Sequence, residues 1–158
     1  MVFQVAVCGP ADCTDQQCNH AYRVGESLAQ RGAVVICGGG SGVMAAVAAG
    51  ASGGGGTVIG IRPGGSREGA CDGLSATIDT DMGEARNAII VASADAVIAI
   101  GGSWGTLSEV ALAMRRGTIP VVSLGGWQIL DADGIPVLGI QQAETPEAAV
   151  DLATARRP

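Results

Sequence analysis

Short apolar runs alternate along this chain with longer stretches whose apolar positions recur at helical spacing. The runs at residues 2–8, 33–37, 57–61, 74–78, 95–100 and 119–123 are rich in Val, Ile and Ala. A strand with one wet face alternates apolar and polar residues, whereas a strand covered on both faces has no need to. These segments are therefore predicted to be buried strands. Residues 15–31, 42–51, 83–93, 106–116 and 146–156 are predicted helices. Such alternation predicts an α/β fold, a Rossmann-like, doubly wound, mostly parallel sheet with helices on both faces. Residues 125–140, GGWQILDADGIPVLGI, fit a loop with a short edge strand. No linker or repeat breaks the pattern, so residues 1–158 are expected to form a single Rossmann-like nucleotide-binding domain. The segment EARNAIIVAS at 84–93 is apolar almost all round, which predicts a second covering surface from another subunit and hence a homodimer or homotetramer.

Ligands of open parallel sheets bind beyond the carboxyl ends of the strands. Glycines collect there. Gly9 follows the first predicted strand, Gly38, Gly39, Gly40, Ser41 and Gly42 the second, and Gly101, Gly102, Ser103, Gly105 and Thr106 the fifth. In VVICGGGSGVMAAVAAGA, at 34–51, a strand passes through a glycine loop into a helix that carries Met44 in its first turn. Glycine lets backbone N–H groups approach an anion, and a helix start adds partial positive charge. The alternative is a tight turn that binds nothing. Residues 40–45 also satisfy a loose G-x-G-x-x-A dinucleotide pattern, but they follow the second strand, and Arg62 stands where an acid would hold a ribose. A nicotinamide-dependent oxidoreductase is thus the last-ranked function.

Two charged residues beside these loops each admit two roles. Thr106 and Glu109 stand as T-x-x-E, the spacing of a capping box, yet Glu109 at a glycine-rich helix start also suits a catalytic or ribose-binding carboxylate. In DMGEARN, at 81–87, Arg86 falls near a helix N-terminus, where a cation needs a partner. That partner is either a phosphate or carboxylate in a site, or Glu84 or Asp81 on the surface.

Composition narrows the classes. Hydrophobic residues make up 47% of the 158, ample for a core, but aromatics only 3%, so aliphatic side chains must fill it. A net charge of −6 leaves no basic face for nucleic acid. No apolar run approaches the roughly 18 residues of a membrane span. The N-terminus enters a strand without a basic start or cleavage site, so a cytoplasmic protein is expected. All nine basic residues are Arg, which argues against a pyridoxal phosphate enzyme and against a P-loop NTPase, both of which use Lys. Five cysteines, an odd number, argue against a disulfide framework. Cys8, Cys13, Cys18 and His20 match no familiar metal spacing, so no metal site is expected. Cys8 and Cys37 are expected to act as small buried hydrophobes.

The motif GGSWGTLSE resembles the P-G-G-x-G-T-x-x-E signature of the Lonely-guy (LOG) family, formerly called lysine-decarboxylase-like. CGGGSGVM is similar to that family's first glycine loop and MGEARN to its arginine motif. The resemblance implies a Rossmann-like oligomer that binds a nucleoside monophosphate. It maps the family's Arg and Glu onto Arg86 and Glu109, and its phosphate loop onto Gly101, Gly102, Gly105 and Thr106. LOG members are phosphoribohydrolases that release free base and ribose 5-phosphate. Two features depart from them. Ile100 replaces the leading Pro, and MGEARN has an extra residue before its Arg and no Lys after it. The variant looks more like the branch that contains the molybdenum-cofactor carrier protein. That branch implies binding of a phosphorylated small molecule, such as molybdenum cofactor as a carried ligand, with no required cofactor and no hydrolysis.

Overall fold

In the computed structural model, residues 1–155 are described. Among them the strands are β1 (Gln4–Cys8), β2 (Val34–Cys37), β3 (Val58–Arg62), β4 (Ala76–Asp79), β5 (Ala96–Ile100), β6 (Val121–Leu124) and β7 (Ile140–Ala143). They form one sheet in the order β4-β3-β2-β1-β5-β6-β7, every neighbouring pair parallel. The helices are α1 (Asp15–Gln30), α2 (Val43–Gly53), α3 (Asn87–Ala92), α4 (Trp104–Arg116) and α5 (Pro146–Thr154). This is the Rossmann-like α/β architecture that the buried strands call for.

The period-two alternation of each strand divides the core. Val5 and Val7 of β1, with Val35 of β2 and Ile98 and Ile100 of β5, meet α1, α2 and α5 on one face. Ala6 and Cys8, with Ile36, Val97 and Ala99, meet Ile90 and Val91 of α3 and Val110 and Ala113 of α4 on the other. Thr14 caps α1 with a full capping box to Gln17, and Thr145 caps α5 ahead of Pro146 at its first turn.

Connections run outward from β1 through β4 on one side and from β5 through β7 on the other. The direction reverses between β1 and β5, which are paired with Cys8 opposite Ala99. A crevice opens beyond the strand ends at such a reversal, because the two following loops diverge.

Several boundaries differ from the sequence pattern. The helix predicted at 83–93 is a 3-10 turn, Gly83–Arg86, followed by α3. The helix predicted from 106 begins at Trp104, because Ser103 supplies the cap. The edge strand anticipated within 125–140 lies just beyond it, as β7 beside β6. The last helix was predicted to reach Arg156, which lies outside the described residues. Cys13 and Cys18 are joined in a local disulfide across the cap of α1, so the expectation against bridges holds only for a framework. Cys13 precedes the N-cap Thr14 and Cys18 lies within α1, with their Cα atoms 6.0 Å apart. Cys8 and Cys37 are free and buried, and Cys71 is free. Among the described residues no helix is long and apolar enough to cross a membrane.

Candidate functional site

Three loops converge at the β1/β5 reversal. The loop after β2 is fixed to the loop after β1: Val43 N–H donates to the Pro10 carbonyl at 3.1 Å, and Ser41 Oγ to the Ala11 carbonyl at 3.1 Å. Gly42 makes this possible. Its φ is +63°, and a Cβ there would stand 2.4 Å from the carbonyl oxygens of both Pro10 and Ala11. Behind the same loop, Arg62 at the end of β3 is buried and donates to the carbonyls of Gly39 (2.7 Å), Gly69 (3.1 Å) and Glu68 (2.5 Å). Asp79 lies 3.7 Å from its Nε. Arg62 therefore braces backbone and does not stand in for a ribose-holding acid.

The third loop leads from β5 into α4. Ser103 is the N-cap residue, and its Oγ accepts from Thr106 N–H at 3.2 Å. Thr106 is thus inside the helix, and the capping-box reading of Thr106 and Glu109 is corrected. Once the helix begins at Trp104, Glu109 falls on its second turn, beyond reach of the first free amides. It is buried there, at 6% exposure.

Arg86 arrives from the 3-10 turn and is also buried, at 8% exposure, so it is not a surface arginine. Its Nη1 donates to Asn87 Oδ1 and stands 3.9 Å from Glu109 Oε1. Asn87 is held in turn, since its Nδ2 donates to Ser108 Oγ at 2.8 Å and lies 3.4 Å from Glu84 Oε2. The other tip of Arg86 reaches the loop after β2: a Cβ at Gly38 would be 2.9 Å from Nη2. Arg86 Nε is buried without a hydrogen-bond partner. A buried donor left unmade is costly, so such a group commonly marks a place for a ligand or water.

Burial pushes the Glu109 carboxyl up from 4.5 to about 7, against the pull of Arg86 and of a hydrogen bond with Cys8, while Glu84 raises it further. Burial and Glu109 together raise the Cys8 thiol well above its ordinary range. Desolvation likewise lifts Cys37 to about 12, so both thiols stay neutral at physiological pH.

These groups surround an open cleft of about 500 Å³, its solvent-filled mouth included. Of the residues singled out in the sequence, Gly9, Gly38, Met44, Arg86, Ser103, Gly105, Thr106 and Glu109 line it. Gly39, Gly40, Ser41 and Gly42 do not; they form the loop behind its wall. Gly101 and Gly102 line a separate pocket beneath Trp127. Gly102 packs flat against that ring, since a Cβ would stand 2.4 Å from Trp127 Cδ1. Trp104 is 78% exposed and meets Trp127 edge to face at 5.2 Å. Sequence reasoning missed Val7, Cys8, Ala11 and Asn87 as lining residues and took Glu84 only as a surface partner for Arg86. Asn87 adjoins Arg86 in the chain, and that adjacency was the available signal.

Residues 2–150 match the SLOG cluster4 family. The chain belongs to that family. It is 42% identical over 151 residues to an uncharacterized protein of Archaeoglobus fulgidus, covering 95% of this chain and 93% of that one. Among solved structures it is similar to the molybdenum cofactor binding protein of Rippkaea orientalis, with TM-score 0.87, 32% identity and coverage of 98% and 97% of the two chains. It is also similar to the molybdenum cofactor carrier protein of Chlamydomonas reinhardtii, with TM-score 0.83, 31% identity and 98% of each chain covered.

Proposed function

We propose that the cleft binds a phosphorylated, nucleotide-like small molecule, with molybdenum cofactor as a carried ligand or a nucleoside monophosphate as the two forms of that chemistry. The observation that carries this reading is Arg86: a nearly buried guanidinium whose Nε has no partner, beside the cleft at the sheet reversal and the start of α4. A phosphoryl group in the cleft would be drawn to that guanidinium and to the positive end of the helix. The similarity to molybdenum cofactor binding and carrier proteins supports the pterin form. Titration calorimetry with AMP, together with native mass spectrometry of the protein purified from its own host, tests the reading. Saturable AMP binding or a co-purified phosphorylated pterin is expected; neither being found would overturn it.

A second reading is N-glycosidic hydrolysis of a nucleoside 5'-monophosphate, favoured by Glu109. A carboxyl that titrates at about 7 beside an arginine suits general acid–base work near neutral pH. Release of adenine from AMP, abolished in Glu109→Gln, is the expected sign; no release from bound AMP excludes it for that substrate. The exposed Ala88 and Ala92 of α3, beside half-buried Ile89, support a homodimer or homotetramer through this face. Native mass spectrometry reads that directly, and a monomer mass would contradict it.

A further inference from the structure

We propose that Glu109 enters the liganded complex as the neutral acid and donates a hydrogen bond to an anionic oxygen of the ligand, so that a proton is taken up from solvent wherever Glu109 was ionised before binding. The inference rests on the anion-binding reading above and adds its charge balance and its choice of ligand atom.

The charges that line the cleft sum to the wrong sign for an anion. Glu84 and Glu109 oppose a single cation, Arg86. The groups facing Glu109 come from every element packed around it. Cys8 lies on β1 and Cys37 on β2, both neutral thiols; Arg86 and Glu84 come from the 3-10 turn. Arg86 is thus the one charge that stabilises ionised Glu109, alongside a hydrogen bond with neutral Cys8, and it does so without a direct hydrogen bond, because 3.9 Å exceeds hydrogen-bond distance and Nη1 donates to Asn87 instead. A phosphoryl group engaging Arg86 cancels that support and adds negative charge beside a carboxylate that is 6% exposed. Two like charges sharing so dry a site cannot both persist, and the weaker acid takes the proton. Burial has already moved Glu109 to about 7, so this protonation is mild near neutral pH. The protonated carboxyl then turns from hydrogen-bond acceptor to donor. It prefers an oxyanion over the N–H edge of a base, which an ionised carboxylate would select.

Calorimetry with AMP at pH 8, in buffers of different ionisation enthalpy, counts the protons. At that pH the phosphate, whose second pKa is about 6, is already a dianion. Wild-type protein takes up close to one proton per AMP, and Glu109→Gln takes up none while binding at least as tightly. From pH 6 to pH 8 wild type loses about tenfold more affinity than Glu109→Gln does. An infrared difference spectrum of wild type alone shows a neutral carboxylic acid appearing as AMP binds, so the test survives if the variant misfolds. Buffer-independent heats in wild type, an absent carboxylic acid band, or a folded Glu109→Gln that loses AMP overturns the inference and leaves anion binding standing. No AMP binding at any pH by either protein overturns both.

Discussion

The Arg86 guanidinium stands 3.9 Å from the Glu109 carboxylate, though the two come from different elements and are both almost wholly buried. The pair makes stability depend on pH in a definite sense. Glu109 holds its proton more tightly folded, at about 7, than at the ordinary 4.5. Between those values the native state keeps a proton that the unfolded chain has released, so this group lowers stability as pH rises through the window. Two and a half units correspond to about 3 kcal/mol at most. Glu109→Gln is therefore expected to match wild type near pH 4.5 and to be more stable above pH 7, by up to about that amount. Urea melts of both proteins at the two pH values check it; equal midpoints throughout would remove the buried-acid argument.

Arg86→Met separates ligand affinity from folding. A charge-assisted hydrogen bond contributes about 1.5–3 kcal/mol, so AMP affinity should fall roughly 10- to 100-fold. At pH 6, where Glu109 is largely neutral, stability should fall by about 1–3 kcal/mol, because Met leaves the buried Asn87 Oδ1 without its donor. Calorimetry and urea melts at pH 6 measure both, and undiminished AMP binding would place the ligand elsewhere.

Arg62→Met should act the other way round. It removes the donor shared by the carbonyls of Gly39, Glu68 and Gly69 and takes the cation from beside half-buried Asp79. A cost of about 3 kcal/mol or more is expected, since three carbonyls lose their donor at about 1–3 kcal/mol each. Proteolysis within residues 63–75 should quicken, because that segment hangs on these bonds. A variant as stable as wild type would show the brace to be dispensable.

Gly42→Ala tests the seam between the first two loops. The +63° φ alone costs about 1–3 kcal/mol for a residue with a Cβ. The two carbonyl oxygens at 2.4 Å are backbone and cannot swing aside, so the loops must separate. Lower stability with weaker AMP binding is expected from melts and calorimetry; a neutral substitution would contradict the close approach.

The apolar runs placed β1, β2, β3, β5 and β6 within a few residues, because a strand buried on both faces leaves a mark that no helix leaves at that length; the run at 74–78 also marked β4, but that strand lies half-exposed at the sheet edge rather than buried. The glycine clusters likewise announced the strand ends that open onto the crevice. The roles of individual residues were less legible. Gly102 looked like a phosphate contact, but it lies flat beneath Trp127, a residue distant in sequence. Glu109 fitted a cap as well as a site, since T-x-x-E spacing is local and the true cap, Ser103, shifts the register of the whole helix. Cys8 reads as one more apolar strand residue until the fold sets it against Glu109.

The sequence alone determined the parallel α/β layering and the three loops that face one edge of the sheet, because periodicity and glycine placement act within a few residues of chain. Tertiary structure decided the strand order, the crevice at the β1/β5 reversal, and the meeting of Arg86 with Glu109. Those depend on packing between segments far apart in the chain, and so do the burial and charge that give the two residues their chemistry.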